Sequence, residues 1–190
     1  MIRSMAQAAE IEPVAAGVWI WRVYDPTIKA ELFSTALASS GGIYLIDPIP
    51  LASEAVGELT KLGRIAGVVI TNENHHRAGS DFAEQFQVPI HERVLKSDGL
   101  IGIPIDGGPA GEIAILSESA SGTLVIGDAL INFEPYGFSL LPAKYCSDRK
   151  TMRVSLGNLL DYSFDRMLFA HGTPILSGAR QRLEQLLRDC

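Results

Sequence analysis

Cysteine is scarce in this chain: there are two in 190 residues, Cys146 and the terminal Cys190. Such a pair makes neither a disulfide framework nor a metal-binding motif, and it fits a reducing, cytoplasmic setting. Blocks of Lys or Arg are also missing. With 16 basic and 22 acidic residues the formal net charge is −6, so a nucleic-acid backbone would meet no basic surface, which excludes it as the main partner. No apolar run is long enough to span a bilayer, which argues against a membrane partner. Met1 to Glu10 has Arg3 but no continuous apolar core, so no secretory signal is read there. Solenoid-type repeats, low-complexity segments and linkers are absent as well. What remains is 47% hydrophobic and 20% charged. That composition folds, and 190 residues bury a sizeable core as one domain, 1–190, behind a loose leader at 1–12.

The most informative stretch is the run Ile65-Ala66-Gly67-Val68-Val69-Ile70. It is short, β-branched and apolar throughout, the pattern of a strand buried on both faces. Polarity then changes abruptly to Thr71-Asn72-Glu73-Asn74-His75-His76-Arg77, followed by a helix containing Phe82, Ala83 and Phe86. Two of the four histidines thus fall where a buried strand hands over to a helix, the usual position of a site in layered α/β proteins.

Around this stretch the periodicity alternates. Val14 to Tyr24, Leu32 to Ser39 and Ile43 to Ile46 read as strands of an antiparallel meander, separated by Asp25-Pro26 and Ser39-Ser40-Gly41-Gly42. Ser53 is placed to cap a helix bearing Val56, Leu59 and Leu62, with Gly63 to end it. Beyond the central strand come a short strand, Val88 to His91, and a Gly- and Pro-containing loop, Val94 to Gly108. A hairpin, Glu112 to Leu116 and Thr123 to Ile126, turns around Ala120-Ser121-Gly122, and a second loop covers Asn132 to Lys144. Ser147 is expected to cap a helix through Leu160. Met167 to Ala170 reads as a last buried strand, and Ser177 begins a terminal helix. Helix–strand alternation between two runs of strands implies two sheets with helices packed outside them.

Three strand ends therefore carry polar residues: Asn72 to Arg77, Asp128 and His171. The order of Gly42-Ile43-Tyr44-Leu45-Ile46-Asp47-Pro48, Ile70-Thr71, Gly127-Asp128 and Ala170-His171-Gly172 resembles the metallo-β-lactamase fold superfamily over about residues 14–188. The resemblance implies an α/β fold, a four-layer αββα sandwich of two mixed sheets flanked by helices. It also implies a metal motif, Thr-His-x-His-x-Asp-His, which in this chain is degenerate. Asn72 and Asn74 replace its first two histidines, His76 replaces the aspartate and Arg77 the closing histidine. A further family histidine falls on or near Gly108, while Asp128 and His171 match the bridging aspartate and the final histidine.

The resemblance carries two functions. Amide oxygens are poor zinc ligands, so the family's first metal site is expected empty. His76, Asp128 and His171 would form the second, holding one zinc or iron ion as the catalytic centre of a hydrolase acting by water on an ester, thioester, amide or phosphoester. Arg77, which keeps its charge, would instead replace the metal and pair with Asp128. In that case a non-catalytic fold member would bind a small anion or a protein partner through Asn72, Asn74, His75 and Arg77. A homodimer is compatible with either. His75 is read as a structural residue or a ligand contact, His91 as a surface or strand-edge residue, Asp47 as a turn residue bonding nearby backbone N–H groups, and Trp19 and Trp21 as packing. Cys146 has no base beside it and is not read as a nucleophile.

Overall fold

The computed structural model describes residues 6–27, 29–92, 96–97, 99–118 and 122–189, with 96–97 described by backbone alone. Strands β1 (Glu12–Ala15), β2 (Val18–Asp25), β3 (Ala30–Ser39) and β4 (Gly42–Ile46) form an antiparallel meander of four strands, not three, because the stretch read as one strand from Val14 to Tyr24 turns at Ala16-Gly17. Helix α1 (Ser53–Leu62) then carries the chain over to β5 (Ile65–Ile70), and α2 (Gly79–Phe86) to β6 (Ile90–Glu92). Both strands join in parallel, because a crossover that contains a helix returns the chain in the same direction. The first sheet has the order β1-β2-β3-β4-β5-β6.

The second sheet starts with β7 (Lys96–Ser97), β8 (Leu100–Pro104), β9 (Ile113–Ser117) and β10 (Thr123–Ile126). A separate hairpin, β11 (Leu130–Phe133) and β12 (Gly137–Leu140), and helix α3 (Arg149–Gly157) precede β13 (Arg166–Phe169). Strand β13 lies parallel to β10, giving the order β13-β10-β9-β8-β7, and α4 (Ala179–Asp189) closes the described chain.

Alternation within each central strand explains the layering. In β5, Val68 and Ile70 pack with Ala55 and Leu59 of α1 and Phe82 of α2, while Val69 faces the other sheet. In β10, Leu124 and Ile126 pack with Met152 and Leu156 of α3, and Val125 faces inward. The inter-sheet layer joins Phe33, Leu37 and Ile46 of the first sheet to Ile115, Val125 and Leu168 of the second. Strands buried on both faces need apolar residues at every position, which is why β5 shows no polar alternation. The result is the four-layer αββα sandwich, with α1 and α2 outside one sheet and α3 and α4 outside the other. No helix among the described residues is long and apolar enough to cross a membrane.

Several local expectations change. The segment read as a loop from Val94 to Gly108 contains β7 and β8, and β8 pairs along its length with β9. Gly102 and Pro104 hid it, although Pro104 stands at the strand's end, where a proline is tolerated. The second presumed loop contains β12 and the last two residues of β11. Part of the leader is docked: Ala8 is buried, donates its N–H to Pro50 O at 2.9 Å and accepts from Ala52 N at 2.9 Å. Helix α1 has Ala52 at its N-cap with no side-chain cap. The α3 cap is Asp148 rather than Ser147, with Oδ1 accepting from Lys150 N and Thr151 N at 2.9 and 3.3 Å. The turn expected at Ala120-Ser121 lies outside the described residues. Trp21 is fully buried, with Nε1 donating to Ile49 O at 3.0 Å, and Trp19 packs on the same cluster.

Candidate metal centre

The two sheets are tied together at one end. Ile113 N donates to Thr71 O at 2.8 Å and Phe33 N to Ala170 O at 2.9 Å across the sheets, while Ala170 N, donating to Ile126 O at 3.1 Å, continues the pairing of β13 with β10. These bonds bring the residues after β4, β5, β10 and β13 and those before β9 to a single edge. Asp47, the 71–77 turn, Glu112, Asp128 and His171 therefore meet there. Gly172, at φ +109°, lets the chain leave His171 directly against the backbone of Asn132, where a side chain would clash.

Three ligand-type side chains converge: His75, Asp128 and His171 each offer one atom, all within 4.8 Å of one another. His75 Nε2 lies 3.2 Å and His171 Nε2 3.3 Å from the same oxygen, Asp128 Oδ1. His75 is oriented from behind, with Nδ1 2.9 Å from Asp47 Oδ2 and 2.9 Å from Thr71 Oγ1. Asp47 also accepts from Thr71 N at 2.8 Å and from Thr71 Oγ1 at 2.5 Å. The Glu31 backbone lies beside His171 and favours its charged form slightly. On the far side of Asp128, Asn72 Nδ2 donates to Asp128 Oδ2 at 3.2 Å and to Glu112 Oε2 at 2.7 Å.

Burial makes the charges here strongly interdependent. It disfavours a charged His75, but Asp47 and Asp128 outweigh it and push the imidazole up to about 9. Asp128 resists burial through the hydrogen bond and charge of His75, then His171 and Arg77, and falls to about 2. Asp47 is likewise held below the usual carboxylate range: burial works against it, and His75, Arg77 and Thr71 prevail. Burial dominates for His171, helped by Arg77 and His75 against Asp128, and lowers it to about 4. Glu112 is pushed up to about 8 by burial and by the Asp128 charge, against the N–H groups of Ala129 and Asn72. Near neutral pH, the metal-free pocket thus sets two carboxylates, Asp47 and Asp128, against two cations, His75 and Arg77.

Of the residues expected at the site, Asp128 and His171 are in it. His76 is not: its side chain is 54% exposed, with Nδ1 3.7 Å from Glu92 Oε1. His75 takes its place, because the turn closed by His75 N donating to Asn72 O at 3.0 Å aims residue 75 into the pocket and residue 76 outward. Asn74 is exposed and contributes its backbone N–H to Asn72 Oδ1 at 2.9 Å. Arg77, at φ +39°, binds backbone instead of facing a ligand: Nη1 donates to Phe33 O at 2.6 Å and to Asp47 O at 3.1 Å. Its Nη2 is buried without a hydrogen-bond partner. Asp47 is no local turn residue, since its partners lie 24 and 28 positions away. Glu112 was not singled out by the sequence. The available signal was a carboxylate opening an otherwise apolar strand.

Divalent metal fits this donor set. Two imidazoles and one carboxylate with an open position form a common catalytic zinc set. Ligand atoms 3.2 and 3.3 Å apart match the ~3.3 Å edge of a tetrahedron with ~2.0 Å bonds. His75 carries the outer hydrogen bond that a ligating histidine needs, through Nδ1 to Asp47.

No family model and no curated protein matches the sequence. Solved structures do. A metallo-β-lactamase from Pontibacter korlensis superposes with a TM-score of 0.70 at 14% identity, over 95% of this chain and 99% of that one. The DIM-1 metallo-β-lactamase gives 0.68 at 12% identity, over 97% and 98%. A metallo-β-lactamase from Erythrobacter litoralis, with β-mercaptoethanol in its active site, gives 0.65 at 13% identity, over 95% and 96%. Identities this low, across nearly complete chains, establish a shared fold: this chain has the metallo-β-lactamase fold.

Proposed function

We propose that this divergent metallo-β-lactamase fold is a one-metal hydrolase whose ion, zinc or iron, is held by His75, Asp128 and His171. The observation that carries the reading is the convergence of two Nε2 atoms on Asp128 Oδ1, with Asp47 behind His75. A bound divalent ion would supply Lewis acidity and lower the pKa of water for attack on an ester, thioester, amide or phosphoester. The protein's own part is orientation. Asp47 keeps a proton on His75 Nδ1, leaving Nε2 as the donor atom. Burial keeps His171 neutral and able to coordinate. Asn72 and Asn74 provide no imidazole, and Arg77 adds a fixed charge beside the carboxylates, so one ion suits the pocket better than two.

Elemental analysis of the dialysed protein tests this, with the His75→Ala/His171→Ala double variant as control. Stoichiometric zinc or iron, lost in the variant, together with turnover in a screen of the four substrate classes, is expected. A wild-type protein without metal after incubation with both ions would end the reading.

A second reading is favoured by the charge balance of the metal-free pocket, where His75 and Arg77 already offset Asp47 and Asp128. In it the fold is non-catalytic and binds a small anion or a protein partner. Absence of metal together with saturable binding of a small carboxylate or phosphate would support it, and metal-dependent turnover abolished by His171→Ala would remove it.

A further inference from the structure

We infer that Glu112 and Asn72 are positioning residues, which together hold one oxygen of Asp128 so that the other faces both imidazoles. The inference deepens the one-metal reading, on which it rests for its purpose, but the contacts that carry it need no metal.

Asn72 is 2% exposed and Glu112 3%. The amide of Asn72 has one available orientation. Its Oδ1 accepts from Asn74 N at 2.9 Å, so both N–H groups of Nδ2 point the other way, to Glu112 Oε2 at 2.7 Å and Asp128 Oδ2 at 3.2 Å. The second oxygen of Glu112 accepts from Ala129 N at 3.0 Å. Glu112 therefore grips the backbone just after Asp128 and, through Asn72, the Asp128 side chain. Gly127 completes the seat: a Cβ there would lie 2.9 Å from both Glu112 oxygens. Three consecutive residues, 127 to 129, rest on one buried carboxyl group.

A glutamine could not replace it. Both oxygens face N–H donors; a carboxyl oxygen can accept with or without a proton on it, whereas an amide would set N–H against N–H on one side. The χ2 torsion of an aspartate is soft, and without a donor on Oδ2 the carboxylate has no fixed plane. A buried carboxylate and amide are also a poor choice if stability is all that is gained, since a well-packed apolar pair often does as well. What the polar pair adds is direction.

The test uses two single variants, Asn72→Ala and E112Q. The first removes the donor to Asp128 Oδ2, and the second sets an amide N–H against one of the two N–H groups that Glu112 accepts from. The readout is the ring of His171, because Asn72 Nδ2 also lies 3.4 Å from His75 Nδ1. The expected result in each is a cooperative melt with displaced ¹H–¹⁵N ring signals of His171 in metal-free protein. Unchanged His171 signals in either folded variant would overturn the inference, and should one variant not fold the other is read the same way. Asn72→Ala is further expected to bind zinc ~10–100-fold more weakly, the usual loss when an outer partner of a ligand is removed, and wild-type affinity would count against the inference. A wild-type protein that takes up no metal would defeat the one-metal reading alone, because the ring signals are read without metal.

Discussion

His75 and His76 are neighbours in sequence, and each ring approaches carboxylate oxygen, yet they live in different solvents. His75 is 3% exposed, with Asp47 2.9 Å from one nitrogen and Asp128 3.2 Å from the other. His76 is 54% exposed and 3.7 Å from Glu92, itself 52% exposed. The same residue types form a strongly coupled cluster in the first region and an ordinary surface pair in the second. Water decides the difference. Excluding it raises the interaction between charges several-fold, whereas exposed pairs are screened and lose side-chain entropy on pairing.

The comparison breaks first at the metal. His75→Ala is expected to reduce zinc affinity by ~100-fold or more, since it removes a ligand outright, while His76→Ala leaves it within about twofold. Competition against a chromophoric chelator measures both. The reverse ranking would place the centre on the outer face of the turn.

That ranking could not be read from the sequence, whereas the frame around it could. Buried strands announce themselves by unbroken apolar runs such as 65–70, and the polar residues after 70, 126 and 170 marked the functional edge. Matching the 71–77 stretch to a motif by counting assigned the ligand to His76, because counting assumes the turn keeps its shape. Here the turn follows from Asn72, whose side chain binds Asn74 N and whose carbonyl accepts from His75 N. Asp47 was missed for a related reason. Its partners are two dozen residues away, and a lone aspartate before proline carries no trace of them. Glycine and proline within short strands hid β8 and β12.

pH sharpens the contrast next. His75 has a folded-state value of about 9 against 6.5, so its stabilisation is complete below pH 6.5 and is lost as pH rises to 9. Glu112, raised from 4.5 to about 8, holds its proton longer folded than unfolded, so stability also falls from pH 4.5 to 8. His171, lowered to about 4, costs stability as pH drops from 6.5 toward 4. The metal-free protein is therefore expected to melt progressively lower from pH 6.5 to 9. Each group contributes up to ~1.4 kcal/mol per pH unit within its own window. Glu112 is half deprotonated at pH 8 and still contributes above it, so His75→Gln should reduce the fall between pH 8 and 9 without abolishing it. A profile flat above pH 6.5 in metal-free wild type would contradict the buried assignment of His75.

A smaller effect is expected at Gly127, beneath the buried cluster. A Cβ there would lie 2.5 Å from Thr71 Oγ1, the hydroxyl that joins Asp47 to His75, and 2.9 Å from Glu112. Gly127→Ala should cost ~1–3 kcal/mol in denaturant unfolding, the usual range for overpacking a filled site. No comparable crowding surrounds His76, so His76→Leu should be tolerated. Equal losses would mean that the cluster yields as easily as the surface.

The smallest effect tests the surface pair itself. His76 and Glu92 are both more than half exposed and stand 3.7 Å apart, so water competes for each group and salt screens what remains. A double-mutant cycle with His76→Ala and Glu92→Ala is expected to give a coupling of ~0–0.5 kcal/mol, vanishing in high salt. The corresponding cycle on His75 and Asp47 should give several times more and persist in salt, because neither group has water to fall back on when its partner is removed. Similar couplings in both cycles would show that proximity alone, and not exclusion of water, distinguishes the two histidines.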